Sequence, residues 1–206
     1  MRKMKEKKKF GLFVLILTVV LGFSLTTPVS ANSVQLLSEE DIQQKLLDIA
    51  DSYGLDEPLS KEDAEFVKTY AQPVEKPGDF SIMKKKTKKV SGKKSNSKIA
   101  ATVSGSIYHD IGVINNSFGG NIKTTVTKGK PTKIKTKIRH VAYGLLGSGG
   151  TIVGKVQDKT LTSTCTSGKT CSNGKTHRYT ATVAYATTYA EATVSYSSGS
   201  ISIEAK

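Results

Sequence analysis

The chain has 206 residues, with 31 Lys and Arg against 17 Asp and Glu, two Cys and no Trp. A formal net charge of +14 points to anionic partners, while the missing Trp leaves few aromatic platforms for single-stranded nucleic acid, so no specific nucleic-acid partner is expected. The two cysteines have five residues between them, which excludes the two-residue spacing of redox and zinc sites.

In chain order, Arg2, Lys3, Lys5, Lys7, Lys8 and Lys9 come first, then the uncharged run Phe10 to Leu25 and the small-residue exit Val29-Ser30-Ala31. That order predicts a secretory signal peptide over residues 1–31, with cleavage after Ala31. The apolar run is interrupted by Gly11, Thr18 and Gly22 and falls short of the ~20 residues of a spanning helix, which weighs against an uncleaved anchor. The expected localisation is secreted, extracellular or cell-wall-associated.

The remainder is electrically divided. Residues 32–79 hold 12 acidic and 4 basic residues, net −8, whereas residues 80–206 hold 21 basic and 4 acidic, net +17. The acidic head (32–79) reads as two short helices. Ser38 caps the first, with Asp41 three residues on, and Ile42, Leu46, Ile49 and Tyr53 share one face before Gly54. Ser60 and Asp63 start the second, whose stripe is Ala64, Val67 and Ala71, and Pro73 stops it. Such a pair is too small to be stable alone and needs a surface to pack on.

Within residues 80–98, the stretch 83–98 contains Lys84, Lys85, Lys86, Lys88, Lys89, Lys93, Lys94 and Lys98, no acid and almost no apolar side chain. This composition predicts a disordered linker, acting as a protease-sensitive joint, an electrostatic tether or a solvated spacer.

From residue 99 to 206 the apolar period becomes two, as in strands. Ile99, Ala101, Val103, Gly105 and Ile107 alternate, as do Ile122, Thr124 and Val126. A run from His177 to Tyr185 reads as one strand, followed by Ala190 to Tyr196 and Ile201 to Ala205, with turns at 128–131 and 167–170. The predicted fold is mainly β, an antiparallel β-sandwich or small barrel preceded by the two-helix acidic segment.

Three features bear on function. Lys133, Lys135, Lys137 and Arg139 occupy alternate positions, so they form a cationic ladder on one strand face, an expected anion-binding set together with the linker lysines. Residues 140–154 carry no formal charge, which fits either a lipid-touching hairpin or two buried strand ends joined by a glycine-rich loop. Cys165 and Cys171 bracket a turn and are expected to form a disulfide across a single hairpin.

No catalytic set assembles from the sequence. Adjacent His109 and Asp110 would point to opposite faces of a strand, and neither a nucleophile elbow nor zinc-ligand histidine spacing is present. No cofactor or metal is predicted. The expected function is binding of anionic cell-envelope polymer or membrane surface by a secreted cationic protein. In one version it is antimicrobial or toxin-like, with the acidic head as a neutralising pro-segment. The alternatives are a wall-associated binding or structural protein that stays whole, and an extracellular hydrolase dependent on His109 or His177.

Overall fold

A computed structural model describes residues 37–74, 85–147 and 151–206. The signal-peptide region, its cleavage position after Ala31, Lys84 and the glycine-rich tip at 148–150 lie outside the described residues.

Helix α1 (Glu39–Ser52) starts where the sequence reading puts it. The Ser38 hydroxyl accepts the Asp41 N–H at 3.1 Å while the Asp41 carboxylate accepts the Ser38 N–H at 3.3 Å, a reciprocal capping box. Helix α2 (Lys61–Tyr70) is capped by the Ser60 hydroxyl, which accepts the Asp63 N–H at 3.1 Å, while the Ser60 N–H donates to the Tyr53 hydroxyl; the chain then extends into the two-residue strand β1 (Gln72–Pro73). Leu46, Ile49, Ala50, Ala64 and Val67 are buried, so the predicted stripes do face a core.

Nine further strands follow among the described residues: β2 (Lys86–Ser95), β3 (Ala100–Ile111), β4 (Asn115–Lys128), β5 (Lys133–Leu146), β6 (Ile152–Cys165), β7 (Thr170–Asn173), β8 (Thr176–Thr180), β9 (Tyr185–Tyr196) and β10 (Gly199–Ala205). They make two antiparallel five-stranded sheets. Sheet A runs β1-β9-β5-β6, with β10 also on β9, and sheet B runs β2-β3-β4-β7, with β8 also on β4. The inward faces meet in one core, in which Ile99, Val103, Phe118 and Ile122 of the sheet B side pack with Ile134, Ile138, Val194 and Ile203 of sheet A. A buried Thr124–Thr136 hydroxyl contact of 2.7 Å crosses between the sheets. The Asn173 amide donates to the Thr136 and Leu161 carbonyls at 2.9 and 2.8 Å, tying β7 to β5 and β6.

Four expectations change. Residues 86–95 are not a disordered linker but strand β2, paired with β3 from Lys86↔His109 to Ser95↔Ala100. Val90 and Gly92 are the anchor. A Cβ on Gly92 would lie 2.0 Å from the Glu204 carbonyl, so only glycine lets β2 pass this close to β10, and Ser91 and Lys206 exchange backbone hydrogen bonds of 2.9 and 3.0 Å there. The lysines suit this place because β2 is an edge strand, where exposed charge blocks pairing with other chains.

The head is likewise not set apart by a linker, because residues Leu37–Lys206 form a single compact unit. Its helices lie on the outer side of sheet A, where Leu46, Ile49, Ala50 and Val67 share a buried cluster with Val141, Tyr143 and Val153. The run from His177 to Tyr185 is two strands in different sheets, with residues 181–184 crossing between them.

The Cys165–Cys171 disulfide forms, with Cα atoms 5.7 Å apart, but it joins β6 of sheet A to β7 of sheet B rather than closing one hairpin. Closing so short a loop stabilises by about 2–3 kcal/mol on the chain-entropy model.

The uncharged stretch divides, with Leu145 and Ile152 exposed beside the tip. Residues 140–144 of β5 are buried without a break, because sheet B covers one side and the helices the other.

Candidate functional site

The antiparallel strands bring their turns to two opposite ends. One end collects the turns at 96–99, 129–132, 166–169 and 197–198, and contacts between them are direct: Lys98 Nζ donates to Ser198 Oγ at 2.9 Å, and the Val126 N–H to the Lys169 carbonyl at 2.8 Å. The residues of these turns and the strand ends beside them (93–100, 126–135, 163–172 and 194–202) contain eight lysines and no acidic residue. Lys93, Lys94, Lys98, Lys128, Lys130, Lys133 and Lys169 are exposed, and Lys135 is half-buried. Among the described residues none of the eight is in an ion pair.

The predicted ladder divides at this boundary. β5 presents Lys133, Lys135, Lys137 and Arg139 outward, as the alternation requires, since Ile134, Thr136 and Ile138 between them are buried. Lys137, however, pairs with Glu191 at 2.6 Å. Arg139 is held by Asp158 at 2.9 Å and by Asp51 of α1 at 2.6 Å, and these carboxylates raise its already high pKa. The expectation of a ladder without acidic partners holds for Lys133 and Lys135 and not for the other two. The partners were invisible because Glu191 and Asp158 come from the strands on either side of β5.

The β2 lysines divide by register. Lys86, Lys88 and Lys94 stand opposite His109, Ile107 and Ala101 and share the side of the sheet that faces the core, at its open edge; Lys89 and Lys93 face outward. Lys85 lies over the Tyr108 ring at 3.9 Å. Lys128, Lys130 and Lys169 belong to the same end, although in sequence their segments read only as turns. Their signal was present, as lysines flanking Gly129 and Gly168, both in positive-φ backbone.

The other concentration of polar chemistry is internal. All three histidines converge between the sheets. His140 is fully buried, stacked on Phe118 at 4.5 Å, with Nδ1 2.9 Å from the Thr188 hydroxyl and Nε2 2.8 Å from the Tyr179 hydroxyl. His109 lies 3.3 Å from the same Thr188 hydroxyl, and His177 meets the edge of Phe118. Burial pushes His109 down to about 4, with Lys86 adding to the effect, and pushes His140 down to about 3, with the two other histidines adding to it. Both rings are therefore neutral at physiological pH. Sequence reasoning could not find this cluster, because His109 and His177 come from sheet B and His140 from sheet A.

Asp110 faces away from His109, as the strand period predicts, so the two form no dyad. Among the described residues no group of three or more His, Cys, Asp or Glu side chains is arranged to hold a metal, and no helix is long and apolar enough to cross a membrane.

Comparison with known protein families, curated proteins and solved structures gives no match for this chain.

Proposed function

We propose that this protein is an exported, non-catalytic binding protein that holds anionic polymer or lipid headgroups of a cell envelope at the lysine end of its sandwich. The observation that carries the reading is the set of eight lysines on three neighbouring turns and the strand ends beside them, free of acidic residues and of ion pairs among the described residues. At ~1 kcal/mol per cation near an anionic surface, eight of them supply at most ~8 kcal/mol, which corresponds to a dissociation constant near micromolar. The signal-like start of the chain and its disulfide support export.

The head favours the form of this reading in which the protein stays whole. Its apolar side is buried on sheet A, and β1 pairs with β9 immediately after α2. Of the ten carboxylates between residues 37 and 74, two reach cations of the β body, Asp51 on Arg139 and Glu40 on Lys206. Those two contacts are what speaks for the second reading, a head that neutralises an antimicrobial body until it is cut off. A cut between Lys86 and Ser95 would sever a paired strand.

Binding to anionic and neutral vesicles and to phosphate polymers, measured over a range of salt, tests the proposal. Replacing Lys128, Lys130, Lys133 and Lys169 with Gln is expected to weaken binding about 10- to 100-fold at low salt and to flatten the salt dependence. Equal binding of anionic and neutral surfaces, or an unchanged salt slope, overturns it.

A further inference from the structure

The two sheets differ on their outer sides. Sheet A is half covered by the helices, while among the described residues no helix or strand packs on the outer side of sheet B along β2, β3 and β4. Register makes this open side a set of rungs, since opposed residues in antiparallel strands share a face. Lys93 begins one rung and leads to Thr102. The next carries Ser104 and Lys123, and the third carries Lys89, Ser106 and Asn121.

Neighbouring strands lie about 4.8 Å apart, and same-face residues along a strand about 6.8 Å apart. Hydroxyls, the Asn121 amide and lysine ammoniums therefore lie interspersed over an area three rungs long. No aliphatic side chain points out of it between Lys89 and Thr125, and its one carboxylate, Asp110, sits at the end away from the lysine turns. The area is continuous with the lysine end, because Thr125 pairs with Thr170, next to Lys169.

This chemistry fits one kind of ligand. Hydroxyls and amides both donate and accept, so they match a polymer that carries its own hydroxyls. Lysine is a point charge without Arg's planar fork, which suits a tetrahedral phosphodiester approached from any side. A bilayer would reward apolar side chains that enter it, and the exposed Leu55, Val113, Ile114, Leu145 and Ile152 lie on loops and strand ends at the opposite end.

We infer that the ligand is a linear polyol phosphate, lying along the outer side of sheet B with its charge gathered by the lysine end. The inference rests on the anion-binding reading above and adds the ligand class and the binding track.

The test uses the intact protein and four probes: poly(glycerol phosphate), inorganic polyphosphate, polygalacturonate and phosphatidylglycerol vesicles. The triple variant Ser104→Ala, Ser106→Ala, Asn121→Ala loses three hydrogen-bonding groups and no charge. It is expected to bind poly(glycerol phosphate) about tenfold more weakly while its polyphosphate affinity stays unchanged, which also reports an intact fold. Equal losses on both phosphate polymers, no loss on either, or tighter wild-type binding to polygalacturonate or vesicles than to poly(glycerol phosphate) overturns the inference. A wild-type protein that binds none of the four overturns the anion-binding reading itself.

Discussion

Strand β5 passes through two environments. From His140 to Gly144 it is covered by sheet B on one side and the helices on the other, whereas at Lys133 and Lys135 its outward side meets solvent. Cations follow this boundary. In the covered part Arg139 is held between Asp158 and Asp51, and Lys155 of β6, almost fully buried, donates to the Ala50 carbonyl at the end of α1 at 2.6 Å. In the open part Lys133 is exposed and in no ion pair among the described residues. The contrast teaches that charge of one sign, repeated along one strand, serves two ends. A cation enclosed by neighbours must be paired to offset its desolvation and so becomes structural. A cation in water keeps its charge available to a ligand at little cost.

The covered region can be broken most strongly by acid. His140 and His109 are neutral in the folded protein, with values depressed to about 3 and 4 against an ordinary 6.5. Between pH 6.5 and 4 the unfolded chain takes up protons that the folded chain does not, so stability falls as pH falls through this window. The loss by pH 4 is on the order of 5 kcal/mol from the two rings together. Urea titrations at pH 7, 5.5 and 4 measure it. His140→Gln should flatten the pH dependence, and an unaltered slope would assign acid sensitivity to other groups.

Truncating the helix-covered part is next in size. Tyr143 is one of the largest fully buried side chains and packs among Leu46, Ile49 and Val67, so Tyr143→Ala should cost about 3–5 kcal/mol in chemical denaturation. If the helices were only a loosely attached segment, the loss would be well under that.

The smallest effect sharpens the comparison most. Arg139→Gln should lower stability by about 1–2 kcal/mol, because it leaves the half-buried Asp158 only its longer 3.5 Å contact with Lys155, while leaving affinity for phosphate polymers unchanged. Lys133→Gln should do the reverse, shifting stability by less than about 0.5 kcal/mol and weakening polymer binding at low salt. Melting curves and binding isotherms on the two variants side by side decide it. Identical profiles would mean that β5 does not divide its cations between structure and binding.

Much of the architecture could be read directly. Ser38 and Ser60 announce the helices because capping is a local contest between a side chain and backbone N–H groups. Period two from Ile99 to Val126 announces strands because a pleat sends neighbours to opposite faces. The Cys165–Cys171 pairing was also legible, since two cysteines allow one bond. What was misread shares one feature. β2 reads as a linker because its sole residues out of full exposure are Val90 and Gly92, and a two-residue anchor becomes meaningful only when β10 is known to lie against it.

The sequence by itself determined the helix starts, the strand period, the sign of the charge and its concentration after residue 80. These depend on neighbours a few positions apart. Only the tertiary structure decided which cations are paired, that residues 181–184 cross between sheets, that one disulfide staples those sheets together, and that three histidines meet in one buried cluster. Each of these depends on which strands lie side by side or face to face, and that is settled by burying the apolar faces of the whole chain at once, a condition no short segment contains.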